Sequence, residues 1–76
     1  MDKRYVTNML AGILVSTQVA KERAQSDVEL VRIGGFMDAI EHVAARLDIK
    51  GSTLRNRAKR VRALREARES DNNARV

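Results

Sequence analysis

Apolar residues recur at helical spacing along most of the chain. Over residues 5–24, YVTNMLAGILVSTQVAKERA, the positions Val6, Leu10, Ile13, Ala20 and Ala24 lie on one helical stripe. Met9, Leu14 and Val19 widen it well beyond a narrow seam, so the pattern predicts a strongly apolar helix. Gln25-Ser26-Asp27 is a break, where Ser26 or Asp27 could cap a following helix with Glu29 in its first turn. Val28, Leu30, Val31 and Ile33 then form a short apolar segment. Helix is the preferred reading, although the β-branched content of VELVRI also suits a strand. Gly34-Gly35 predicts a turn or hinge. Beyond it Phe36, Ile40, Val43, Ala44 and Leu47 fall on one helical face. After a second break over residues 48–51, Ser52 is placed to cap a last helix that runs to about Glu69 on a thin stripe of Leu54, Ala58, Val61 and Leu64. Residues 70–76 read as a frayed or disordered tail. Tyr5 and Phe36 are most simply core anchors.

The expectation is an all-α domain of three to four helices over residues 1–69. Residues 5–35 would supply scaffold and dimerisation helices, and residues 36–69 a helix-turn-helix with a long basic helix. At 76 residues the chain can bury only roughly 60% of its unfolded surface. An N-terminal helix this apolar needs a cover, either the chain's own later helices or the same helix of a second subunit. The second alternative predicts a homodimer through Val6, Met9, Leu10, Ile13 and Leu14.

Composition removes several function classes. There is no cysteine or tryptophan and a single histidine, His42, which leaves little for catalysis or metal binding; no catalytic residue, metal ligand or cofactor is expected. Asp38 and Glu41 stand at helical spacing, but no partner acid, base or pocket accompanies them. Gly34-Gly35 lacks the strand-then-helix context of a phosphate loop. The apolar run over residues 9–15 is too short for a bilayer, which needs about 20 residues. Thr7 and Asn8 interrupt it as a signal peptide. No membrane association is expected, and the absence of cysteine suits a reducing cytoplasm.

Charge redirects the reading. Residues 1–49 hold six Lys/Arg against seven Asp/Glu, whereas residues 50–76 hold nine against three. The net +5 thus originates entirely in the last third. A near-neutral scaffold with one basic helix is the expected footprint of a polyanion binder. The scarcity of aromatics, Tyr5 and Phe36 alone, argues against single-strand binding by stacking and leaves duplex DNA. The candidate DNA-contacting residues are Lys50, Ser52, Thr53, Arg55, Asn56, Arg57, Lys59, Arg60 and Arg62. Arg55 and Asn56 are best suited to base edges, since Arg pairs with guanine and Asn with adenine through two hydrogen bonds.

A helix-turn-helix needs a small residue where its helices cross, apolar residues to lock them and a polar outer face on the second helix. Ala44 fits the crossing, and Val43, Leu47, Ile49 and Leu54 fit the lock. At this point VAARLDIKGSTLRNRAKR, about residues 43–60, resembles the helix-turn-helix of the Fis-type nucleoid-associated and enhancer-binding regulators. Ile49, Ser52-Thr53-Leu54-Arg55 and Lys59-Arg60 carry the resemblance. Asp48 stands where that family has its turn glycine, and the first helix of the motif begins earlier, from Phe36. The resemblance implies a recognition helix in the major groove and N-terminal helices that form the dimer. The expected function is a small sequence-specific or nucleoid-type transcriptional regulator binding double-stranded DNA. The alternative is a phage- or plasmid-like helical module that docks on an acidic or apolar surface of a host or regulatory protein.

Overall fold

The computed structural model describes residues 2–74. These form three helices and no strand: α1 Lys3–Arg23, α2 Asp27–Arg46 and α3 Gly51–Ala74. Asp2 caps α1, its carboxylate accepting from the Arg4 amide at 3.1 Å. Lys21 and Arg23 in the last turn complement the helix dipole. Ser26 caps α2 by accepting from the Glu29 amide at 3.2 Å, and the Glu29 carboxylate accepts in return from the Gln25 amide at 3.1 Å. With Asp27 and Glu29 in the first turn, this start follows the rules of a good helix N-terminus.

Two expected breaks are absent. Gly34-Gly35 neither turns nor hinges the chain; α2 runs through it as one helix, and VELVRI is its opening rather than a strand. Glycine permits a break without requiring one, and the capped helix on its N-terminal side propagates through at a cost of about 1 kcal/mol per glycine relative to alanine. At its far end α3 continues through Ala74 instead of stopping near Glu69. The expected tail is therefore helical over residues 70–74, and its last two residues lie outside the described ones.

The core is built around α1. Leu10, Ala11, Leu14 and Val15 meet Ile40 and Ala44 of α2, Ile49 of the second connection, and Leu54 and Ala58 of α3. Val6, Met37 and Val61 pack at its edge. Buried Thr7 and Thr17 donate their hydroxyls to the carbonyls of Lys3 and Ile13 at 2.7 and 2.8 Å. No buried side-chain polar atom among the described residues lacks a partner, as a small core requires. The N-terminal half of α2 adds nothing fully buried.

Several apolar assignments change accordingly. Tyr5 and Phe36 are 61% and 55% exposed and are not core anchors. Val43 and Leu47 are exposed and do not lock the helix crossing, and Leu64 lies outside the packed stripe of α3. The set expected for dimerisation divides. Leu10 and Leu14 are interior residues of the subunit and Val6 is half-buried, whereas Met9 and Ile13 remain exposed. The chain's own helices α2 and α3 cover the most apolar face of α1.

Because nothing lies within 4 Å of where a Cβ would stand at Gly34 or Gly35, Gly34→Ala and Gly35→Ala each raise stability by about 0.8–1.0 kcal/mol, read as a higher urea midpoint with an unchanged m-value. A lowered midpoint would mean that the chain bends there.

Candidate functional site

The corner between α2 and α3 sets where the basic helix points. Leu47 ends α2, and Asp48 follows with φ 60, the only positive φ among the described residues. Its amide donates to the Ala45 carbonyl at 3.0 Å, and the Ile49 amide donates to the Ala44 carbonyl at 2.8 Å. This is the paired 5→2 and 6→1 closure of a helix by a left-handed residue, with the usual apolar contact made by buried Ile49 and Ala44. Aspartate holds the position that glycine commonly takes, as its short polar side chain allows. Ile49 then enters the core, and the chain restarts immediately as α3. Gly51 is already helical and the Leu54 amide donates to the Lys50 carbonyl at 3.0 Å. Ser52 therefore sits inside the first turn and does not cap the helix.

From this corner Leu54 and Ala58, each at most 1% exposed, turn one face of α3 inward. Side chains of α1 and α3 then meet along the length of both helices. Arg57 donates to the Asn8 side-chain oxygen, and Arg65 to the Ser16 hydroxyl at 3.2 Å. The rising order on both helices means that they run in the same direction. Arg62 donates through Nη2 to both carboxylate oxygens of Glu22 at 2.6 Å and through Nε to Glu66 at 3.1 Å. The hydrogen bonds it donates to Glu22 and then Glu66 raise its already high pKa further. A Cβ at Gly12 would stand 3.4 Å from the Arg65 guanidinium, within ordinary contact distance.

The basic stretch is thus divided between two tasks. Arg57, Arg62 and Arg65 strap α3 to α1, so Arg57 and Arg62, expected at a nucleic-acid surface, are half-buried and engaged by the chain itself. Lys50, Ser52, Thr53, Arg55, Asn56, Lys59 and Arg60 are exposed. Of these, Arg55 approaches Glu41 at 3.8 Å in a pair exposed on both sides, worth about 0–1 kcal/mol and readily exchanged for another anion. Lys50 and Thr53 line a groove with Lys3, Arg4, Thr7 and Arg57. Arg60 continues it with Arg4, Asn8 and Arg57. Along the sequence Lys3 and Arg4 read only as part of a polar start, since nothing local places them beside residues fifty positions later.

A second surface is apolar. Ile13, Thr17 and Ala20 of α1 face Ile33 and Phe36 of α2 across one open groove, and Val6 and Met9 face Leu47 and Ile49 across another. His42, Asp38 and Glu41 are exposed, and no cluster of three or more metal-type ligands occurs among the described residues. No described helix is long and apolar enough to cross a membrane.

No protein-family model matches the sequence, and no curated protein or solved structure matches it.

The left-handed corner is open to direct test. Asp48→Val destabilises the fold by about 1–2 kcal/mol, the cost of a left-handed residue with a branched side chain, whereas Asp48→Gly leaves the urea midpoint unchanged or higher.

Proposed function

We propose that the chain is a small regulator that binds double-stranded DNA through the N-terminal half of α3 and acts as a homodimer. The observation that carries this reading is the outward face of residues 50–60. Lys50, Ser52, Thr53, Arg55, Asn56, Lys59 and Arg60 are exposed together on a helix anchored by Leu54 and Ala58 at a sharp corner. That is the arrangement a helix-turn-helix uses to enter a major groove, and the resemblance of residues 43–60 to Fis-type regulators agrees with it. Lys50, Arg55, Lys59 and Arg60 supply phosphate contacts in this reading, and Arg55 and Asn56 contact base edges. The function is DNA binding without chemistry, in a cytoplasmic setting.

Dimerisation is assigned to the apolar α1–α2 surface rather than to α1 alone. Met9, Ile13, Phe36, Val43 and Leu47 together leave on the order of 400 Å² of apolar side chain in water, at 150–250 Å² for a whole large side chain. That lies in the range of the largest apolar patch on an ordinary monomer, roughly 300–600 Å², a patch that is often functional. The same surface supports the second reading, a module that docks on an apolar groove of a host or regulatory protein.

Fluorescence anisotropy on a labelled duplex across a salt series tests DNA binding. The four outward-facing cations Lys50, Arg55, Lys59 and Arg60 contribute roughly −3.6 per subunit to the slope of log affinity against log salt, about 0.9 for each phosphate. Arg55→Ala with Lys59→Ala removes about two units of that slope, again at 0.9 each. Absence of binding at low salt would remove the proposal. For the dimer, Phe36→Glu halves the mass measured by light scattering without loss of helicity. A wild-type protein that is already monomeric at high concentration would leave the apolar surface to a different protein.

A further inference from the structure

We infer that the seam between the first turns of α1 and α3 is a second phosphate-binding element, one that grips the DNA backbone beside the stretch read by α3; this rests on the DNA-binding reading above. Lys3, Arg4, Lys50 and Arg57 line one groove, and Arg4 and Arg57 are shared with its extension toward Arg60. Asp48 is the only acidic residue along it. Thr7 and Thr53 add hydroxyls to its wall.

The groove is electrostatically unfavourable when empty. A helix N-terminus carries the positive end of its dipole, so acidic residues belong in the first turn and basic residues do not. Helix α2 follows that rule with Asp27 and Glu29. Helices α1 and α3 both lack an acidic residue in the first turn, and α1 places Lys3 and Arg4 there instead. Because the two helices run in the same direction, both positive ends and five cationic side chains converge on one groove. The Asp2 cap on the Arg4 amide and Asp48 offset only part of this charge. A polyanion relieves all of it, and a single carboxylate does not.

The dimensions suit a phosphate strand. The ten steps from Lys50, just before α3, to Arg60 rise about 15 Å at helical spacing. That equals about four phosphates of one strand at 3.4 Å each along the duplex axis. Arg57 is held in the seam by Asn8, which orients its guanidinium along the groove rather than out to base edges. The seam therefore contributes affinity and register and carries no sequence information.

The test uses the full chain and the labelled duplex over salt from about 50 to 200 mM, the range in which phosphate contacts dominate affinity. Lys3→Gln with Arg4→Gln reduces the steepness of the salt slope by about two units per subunit, at 0.9 for each phosphate no longer neutralised. It weakens binding by the same factor on unrelated duplexes, and the circular dichroism spectrum is unchanged. Lys3→Arg with Arg4→Lys keeps the wild-type slope. Lys3→Gln alone gives half the effect, which separates charge removal from any disturbance of the Asp2 cap. An unchanged slope in the double variant, with Arg55→Ala and Lys59→Ala still lowering it, would overturn the seam and leave the α3 reading intact. A wild-type chain that does not bind duplex at the lowest salt would overturn both.

Discussion

The fold depends on a single corner. At Asp48 the backbone turns left-handed, two hydrogen bonds close α2, and Ile49 drops into the core within one residue. That insertion fixes the exit direction of the chain. Leu54 and Ala58 then join Leu14 and Val15 in the core, and most other side chains on the first three turns of α3 are left in solvent. With a longer or looser connection, the same basic sequence could rotate about its axis and present a different set of side chains. The short corner removes that freedom, which is why the exposed polar face is a definite one.

The basic residues of α3 perform two kinds of work that a net charge does not separate. Three arginines reach back to Asn8, Glu22 and Ser16 and hold the helix along α1. Few large side chains are available for that task, since Val61 is only half-buried and Leu64 is exposed. Guanidinium hydrogen bonds supplement the sparse packing here. Of the cations that remain, Lys50, Arg55, Lys59 and Arg60 lie nearest the corner and are exposed.

The all-helical fold, the first connection and the corner were legible in the chain because each rests on local chemistry. Ser26 with Glu29 makes a cap from neighbours, and aspartate is one of the few residues suited to a left-handed position. Gly34-Gly35 misled because a permissive residue says what the backbone can do, not what its flanking helix makes it do. Phe36, Val43 and Leu47 misled for a different reason. Periodicity reveals that a face is apolar, but not whether the chain itself covers it. Conversely Leu10 and Leu14, read as belonging to a partner's surface, are covered from within. Arg57 and Arg62 were unreadable as straps because their partners lie 49 and 40 residues away, beyond any pattern along one helix. The proposed function rests on exposure and charge; the charge was legible in the sequence, whereas its division between straps and an outward face was not.

The exposed apolar residues on α1 and α2 and the outward-facing cations near the corner respond to the solvent in opposite directions. Added electrolyte shortens the reach of Lys50, Arg55 and Lys59, since the screening length falls to about 8 Å at physiological ionic strength and about 3 Å at 1 M. Strongly hydrated anions such as sulfate at the same time drive Phe36, Val43 and Leu47 out of water. A sulfate salt that weakens the pull of these cations on an anionic surface therefore also makes the protein stickier toward oily ones, so its behaviour on a purification column depends on which anion does the eluting.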